Sequence, residues 1–247
     1  MNIENYTNNI TDLQKQWQKE HQEKGLSKFI FDGIVNETFW NESNKKIMFF
    51  LKEAYILGDD LEGNLCKSLN KWYIWKMWWV VSDWVYALNN VTLESIPAYY
   101  NFDYNDHWEA TKRVRSISVV NVKKSEGKPN SEFDDLMGFV KNDKEYIAKQ
   151  VEEINPEIIV CGNTDYYFEY VFEAELDKKG RIISNATYNG YEVDHNKFKE
   201  KGFAWAGNTL IIDYCHPANH FNRQGKYYAL AALYQQALKE KQKENNL

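Results

Sequence analysis

The chain has 247 residues, of which 43% are hydrophobic and 16% aromatic, and its formal net charge is −6. This composition excludes an intrinsically disordered chain, and the acidic balance excludes indiscriminate coating of nucleic acid, although a local basic face stays possible. The three cysteines form no Cys-x-x-Cys pair, which disfavours a disulfide framework or a four-thiolate site and fits a reducing cytoplasm.

The first segment, residues 1–40, is predicted to be a helical extension packed on the core. Residues 1–27 are polar and helix-like, with Leu13 and Trp17 one turn apart as a packing stripe. Because this start of the chain is polar and charged, no signal peptide is expected.

Four short apolar runs predict β-strands at residues 46–51, 116–122, 157–161 and 209–214. Each run is largely apolar on both faces, which is typical of a parallel sheet covered by helices. Helical periodicity marks several of the segments between and after them, at residues 72–88, 143–154 and 225–241. We therefore predict a three-layer α/β/α fold with a central, mainly parallel four-stranded sheet.

One domain over residues 41–242 accommodates these elements, with a charged, turn-rich insertion near residues 175–205. The most membrane-like run is residues 72–88. Lys76 and Asp83 interrupt it, and it is short for a bilayer span, so no membrane partner is expected.

Polar residues follow or end three of the predicted strands: Glu53, Asn121 and His216. The carboxyl ends of parallel strands meet at one edge of a sheet, where ligands bind in such folds. Glu53 is placed there like a catalytic carboxylate, and the Asn121 amide suits the Watson–Crick edge of a base. Taken singly, each residue is weak support, because lone polar groups at strand ends are usually only solvated.

The stretch from residue 112 to residue 128 contains six basic residues and one acid, a local balance of +5. It predicts a phosphate-contacting edge in which Lys123, Lys124 and Ser125 face DNA. The alternative is a solvated loop, since loop charges usually signify no more than that.

Asp213, His216 and His220 have a spacing that would suit a metal only on one continuous helix. Pro217 and the strand-like approach break such a helix, and no zinc signature is present. We therefore expect neither a metal nor another cofactor.

Four short motifs occur in order between about residues 45 and 235. They are Lys52-Glu53-Ala54-Tyr55 running on to Asp60-Leu61-Glu62-Gly63-Asn64, then Val120-Asn121-Val122-Lys123-Lys124, then Asn155-Pro156-Glu157-Ile158-Ile159-Val160-Cys161-Gly162, and finally His216-Pro217-Ala218 with Arg223. In this order they resemble the uracil-DNA glycosylase superfamily, with motif spacing nearest to its iron–sulfur type.

The resemblance implies a uracil-DNA-glycosylase-like fold and a monofunctional DNA glycosylase, which hydrolyses the bond between deoxyribose and a flipped-out uracil or other altered pyrimidine. Glu53 would orient or activate the attacking water, Asn121 would bind the base, and His216 would stabilise charge on the departing base oxygen. No lysine is clearly placed as a Schiff-base nucleophile, so strand cleavage should require alkali.

The loop after His216 would contact DNA through His220, Phe221 and Arg223. Phe221 would fill the gap that the flipped base leaves, and Arg223 would clamp a phosphate. The alternative is that Phe221 packs under the last helix, because apolar loop residues often anchor loops.

The chain departs from the resemblance in its base pocket and its cysteines. Its cysteines do not fall at the cluster positions, so no iron–sulfur cluster is expected. Cys66 stands where the family has a base-stacking Phe, and an aromatic from residues 72–79 or a reshaped pocket would compensate. Tyr55 matches a tyrosine that crowds the 5-position of the pyrimidine in other uracil enzymes. Since Tyr55 and Cys66 indicate opposite pocket shapes, uracil and a bulky modified cytosine of phage DNA, as in antiviral defence, both stay open.

Two other functions also stay open: a non-catalytic DNA- or nucleotide-binding relative, and a nucleoside hydrolase or transferase. The intact set of Glu53, Asn121 and His216 favours the DNA glycosylase over the first alternative. The basic stretch and the loop after His216 favour a polymeric substrate. The sequence thus predicts a cytoplasmic, monomeric enzyme whose partner is DNA.

Overall fold

A computed structural model describes residues 3–26, 28–54, 63–70, 76–100, 106–128, 130–184 and 186–246, with side chains from residue 12 onward. Its helices are α1 Ile3–Glu23, α2 Glu37–Glu42, α3 Leu65–Leu69, α4 Lys76–Asn90, α5 His107–Arg115, α6 Phe133–Ile154, α7 Asp165–Phe172 and α8 Arg223–Asn245. Its strands are β1 Gly33–Ile34, β2 Ile47–Ala54, β3 Ser118–Glu126, β4 Ile158–Gly162, β5 Thr187–Tyr188, β6 Tyr191–Glu192, β7 Gly202–Ala206 and β8 Thr209–Tyr214.

Six strands form the main sheet in the spatial order β1-β3-β2-β4-β8-β7. The four central strands are the four predicted ones, and they pair in parallel. Strands β1 and β7 add antiparallel edges. The prediction of a mixed α/β fold with a mainly parallel sheet is therefore confirmed, and the prediction of four strands is wrong.

The two missed strands gave weak signals in the sequence. Strand β1 has only two residues, too few for a periodic pattern. Strand β7 lies within residues 175–205, whose charges and turn residues predicted an insertion, and the small β5–β6 hairpin lies there as well. Part of the predicted insertion therefore completes the sheet.

Helices cover both faces of the sheet because successive strand residues point to opposite sides. On one side, Phe49 and Ile212 pack with α4, α5 and α8. On the other side, Phe50 and Ile211 pack with α1, α6 and α7. Among the described helices, none combines the length and apolarity needed to cross a membrane.

Helix α1 packs on the core through Gln14, Trp17 and His21, which are buried, whereas Leu13 is only half-buried. The Trp17 ring stacks on Tyr146 of α6 with a centroid distance of 5.3 Å. The expected packing stripe is therefore shifted toward Trp17 and the polar residues that flank it on the helix surface.

Trp17→Ala should lower the free energy of unfolding by about 3–5 kcal/mol, because it empties a fully buried aromatic site. Urea denaturation measures this change. Phe133→Ala, at an aromatic that is 53% exposed, is the control and should cost about 0.5 kcal/mol or less. Equally small losses in both variants would contradict the packing of α1 as part of the core.

Candidate active site

A cavity of about 500 Å³ opens at the carboxyl edge of the sheet. Glu53 near the end of β2, Asn121 on β3 and His216 just after β8 all line it. Small-molecule sites typically have volumes of roughly 300–1,000 Å³. The three residues predicted from the strand ends therefore share one cavity of suitable size.

A larger cavity of about 700 Å³ lies beside the amino ends of β4 and β8, where Asn155, Pro156 and Thr209 line it. None of the predicted site residues is among its described lining residues. In a parallel sheet the ligand site is expected at the carboxyl edge, so the smaller cavity is the candidate site.

Glu53 lies where the pairing of β2 with β3 becomes irregular. Glu53 pairs with Lys123, but the next residue, Ala54, pairs with Glu126. Bulges of this kind bend a strand and redirect its side chains, and they are common beside active sites. A Cβ atom on Gly127 would lie 2.6 Å from Glu53 Cγ, so only glycine lets the chain after β3 pass this close.

The Glu53 side chain is only 3% exposed, and no group in the described part of the chain hydrogen-bonds its carboxylate oxygens. Lys123 Nζ lies 3.2 Å from Oε2 and forms an ion pair with the carboxylate. Lys123 also donates to Asp135 at 2.7 Å. The Glu53 carboxylate therefore has acceptor capacity that no hydrogen bond within the described residues uses, and both of its oxygens are buried.

His216 is half-buried in the cavity wall. The main-chain N–H of Ala218 donates to Nδ1 at 3.2 Å, which leaves the proton of the neutral ring on Nε2. Burial lowers the pKa of His216 to about 4, and the neighbouring Lys52 and Lys226 cations act in the same direction. At neutral pH the imidazole is therefore an uncharged hydrogen-bond donor.

Two features hold the turn that carries His216. The buried Lys226 of α8 donates from Nζ to the carbonyl oxygens of Pro217 at 2.8 Å and Asn219 at 3.1 Å. A Cβ atom on Gly162 would lie 2.7 Å from Leu51 Cδ2 and 3.5 Å from Pro217 Cδ, so glycine allows the end of β4 to pack closely between β2 and this turn. These contacts fix the turn after β8 that carries the His216 imidazole.

Asn121 is buried on β3 and is held by Asp32, the residue before β1. The Asn121 main-chain N–H and its Nδ2 donate to Asp32 Oδ2 at 2.8 and 3.1 Å. These bonds satisfy the main-chain N–H of Asn121 and also orient its side-chain amide in the cavity wall.

The expected phosphate contacts of Lys123, Lys124 and Ser125 need correction, because these residues are buried. Lys124 has no exposed side-chain surface and pairs with Asp32 at 2.5 Å. The physical reason is that β3 continues to Glu126, so residues predicted to lie in a loop belong to the sheet. A buried and paired lysine cannot reach a DNA phosphate.

Arg223 is also engaged within the protein. It begins α8 and binds the Asp83 carboxylate of α4 through Nε and Nη2, the latter at 2.8 Å. The Arg223 guanidinium, which was expected to clamp a phosphate, therefore joins α8 to α4.

Phe221 is half-buried, and its ring packs edge-on against Phe198 at 5.6 Å. This contact corresponds to the packing alternative rather than to a free wedge. His220 is exposed and lines the cavity, as a group that contacts substrate would.

Tyr55 and residues 60–62 of the first motif lie outside the described residues. Cys66 lies on α3 but is not among the described residues that line the cavity, whereas its neighbour Leu65 is. A contact between Cys66 and the base therefore stays a prediction. Trp78, from the aromatic run predicted to compensate, is buried in the cavity wall beside Met77.

Sequence reasoning assigned no site role to several polar residues of the cavity wall, namely Lys52, Asn130 and Ser131, and it included Lys128 only as part of the basic stretch. Lys52 precedes Glu53, and the other three follow β3 directly. The sequence signal that could have indicated these residues was their closeness to predicted strands that carry a site residue.

The described residues contain no group of three His, Cys, Asp or Glu side chains arranged to bind a metal ion. Asp213 is ion-paired with Lys178 at 3.0 Å and with Lys201 at 2.8 Å. His216 and His220 both line the cavity. The cavity therefore presents acid–base and hydrogen-bonding groups.

Comparison with known proteins shows that no protein-family model matches the chain and that no curated protein matches it. The functional interpretation consequently depends on the geometry of the site and on the motifs quoted above.

The low pKa of His216 predicts a loss of stability in acid. Above pH 6.5 the ring is neutral in both the folded and the unfolded chain, but as the pH falls toward 4 only the unfolded chain readily binds the proton. His216→Gln removes this contribution. Between about pH 7 and about pH 5, urea denaturation should show a larger loss for the wild type than for His216→Gln. Equal losses would mean that His216 is not held neutral.

Proposed function

We propose that the protein is a monofunctional DNA glycosylase that hydrolyses the N-glycosidic bond of a flipped-out altered pyrimidine. The observation that carries this proposal is the convergence of Glu53, Asn121 and His216 on one cavity. The order of the four motifs supports it, as does a parallel sheet with helices on both faces, an arrangement compatible with a three-layer fold of the uracil-DNA glycosylase type.

The chemistry of base release accounts for each of the three residues. Glycosidic cleavage passes through an oxocarbenium-like state, so a carboxylate that holds water near the sugar assists it. Glu53 has the free acceptor capacity for this role. The departing base gains negative charge on an oxygen, which the Nε2–H of a neutral His216 stabilises without first losing a proton.

Asn121 supplies recognition rather than proton transfer. Its amide offers both a donor and an acceptor, as the Watson–Crick edge of a pyrimidine requires. Trp78 and Met77 supply apolar wall for the rings of the base. Lys52, Lys128 and His220 line the same cavity and are candidates for contacts to flanking phosphates.

A nucleoside hydrolase is the second candidate, and one observation favours it. Lys124 and Arg223, expected to contact phosphates, are occupied by Asp32 and Asp83. With these cations engaged, the support for a polymeric substrate is weaker than the sequence alone suggested.

One assay separates the two candidates. The protein is incubated with single-stranded and duplex oligonucleotides that contain uracil or 5-hydroxymethylcytosine, and with the matching free nucleosides. The glycosylase proposal expects base release from oligonucleotides, with alkali-labile abasic sites and no strand cleavage before alkali. Release from free nucleosides alone would transfer the assignment to a nucleoside hydrolase.

Glu53→Gln and His216→Ala should each slow base release about 100-fold or more, because a general base or a donor to a developing anion usually contributes that much. Single-turnover rates measure this effect, and oligonucleotide binding should persist. His220→Ala is the matched control, since it removes an exposed histidine of the same cavity and should affect binding more than the chemical step. Near-wild-type rates in both catalytic variants would remove the assignment.

A further inference from the structure

Asp32 is a buried carboxylate whose two oxygens are both occupied. Its side chain has no exposed surface. Oδ2 accepts from the main-chain N–H of Asn121 at 2.8 Å and from its Nδ2 at 3.1 Å. Oδ1 accepts from Lys124 Nζ at 2.5 Å and from Gln150 Nε2 at 3.0 Å.

This arrangement decides the orientation of the Asn121 amide. An asparagine amide has two orientations that exchange its oxygen and its nitrogen, and its hydrogen-bond partners select between them. With Nδ2 toward Asp32, a donor meets an acceptor. In the reversed orientation Oδ1 would face Asp32 Oδ2, and the two acceptors would repel each other with no donor between them.

The selected orientation sets the hydrogen-bonding order that the cavity presents. One Nδ2 hydrogen is used by Asp32, which leaves one N–H and Oδ1 of Asn121 for a ligand. The oxo and N–H groups of a uracil-type edge and the amino and ring-nitrogen groups of a cytosine-type edge have opposite donor–acceptor order. A base fixed by its sugar and by His216 cannot turn over to exchange them.

We propose that Asp32 is a positioning residue that sets base specificity, because it fixes the donor–acceptor order of Asn121. This inference depends on the proposed action of the site on a nucleobase. Asp32 itself touches no substrate, and its effect passes through Asn121.

Helix α1 takes part in this arrangement. Gln14 donates to the main-chain oxygen of Asp32 at 2.6 Å, and the ammonium group of Lys124 lies 5.0 Å from the centre of the Trp17 ring. The N-terminal helix therefore helps to hold Asp32 and its partner Lys124, which gives this segment a part in base selection.

Asp32→Asn tests the proposal, because asparagine keeps the shape of the side chain but offers a donor that permits the reversed Asn121 amide. Single-turnover rates are measured on two oligonucleotides that differ only in uracil or 5-hydroxymethylcytosine. The wild type should prefer one of them by about 10-fold or more, and Asp32→Asn should reduce that preference by about 10-fold. A structural role alone would lower both rates by the same factor, and an unchanged ratio would overturn the proposal.

Two further variants separate specificity from folding. Gln150→Met removes a neutral donor to Asp32 Oδ1 but keeps the ion pair with Lys124, so it should retain the wild-type preference. Asp32→Asn combined with Lys124→Met removes both members of the ion pair. If Asp32→Asn alone does not fold, the preference of this double variant for the two oligonucleotides is compared with that of the wild type. A preference that changes in Gln150→Met as much as in the double variant would contradict the role given to Asp32.

A binding measurement distinguishes failure of this inference from failure of the glycosylase proposal. If the wild type cleaves neither oligonucleotide, the glycosylase proposal fails, and dissociation constants for free uracil and free cytosine then decide the role of Asp32. Their ratio should shift by about 10-fold in Asp32→Asn. An unshifted ratio, or no binding of either base, would overturn the role of Asp32.

Discussion

The buried carboxylate of Asp32 is the constraint on which the placement of Asn121 in the site depends. A charge without exposed surface is tolerated only while donors surround it, and the loss of one partner typically costs about 3–5 kcal/mol. Its donors come from β3 and α6, and α1 supports its main chain. Keeping Asp32 satisfied therefore keeps the N-terminal helix, the sheet edge and Asn121 in one fixed relation.

The other two site residues are held by contacts of their own. Glu53 lies where the pairing of β2 with β3 becomes irregular, and Gly127 allows the chain after β3 to pass close to it. His216 lies on a turn whose carbonyl oxygens at Pro217 and Asn219 accept hydrogen bonds from Lys226. Groups fixed in this way need little reorganisation when a reaction begins, which is where most electrostatic catalysis originates. Under the proposed function, three strands of one sheet thus carry three separable chemical tasks.

The sequence predicted the parts of this arrangement that depend on neighbouring residues. It did not predict the parts that depend on residues far apart along the chain. Apolar runs are local, so the four central strands and the residues that they deliver to one edge could be predicted. The partners of charged residues are not local: Lys124 and Asp32 are 92 residues apart, and Arg223 and Asp83 are 140 apart. Periodicity carries no information on such pairs, so their basic side chains were assigned to DNA instead of to buried carboxylates.

The central claim is that Glu53, Asn121 and His216 surround one nucleobase, and NMR titration with free uracil and 5-substituted cytosines tests it most directly. The account predicts that a bound base shifts the side-chain amide signals of Asn121 and the ring signals of His216. It also predicts that the indole signal of Trp205, which lines the larger cavity, does not move. Shifts confined to Trp205, with Asn121 and His216 unchanged at saturating base, would contradict it.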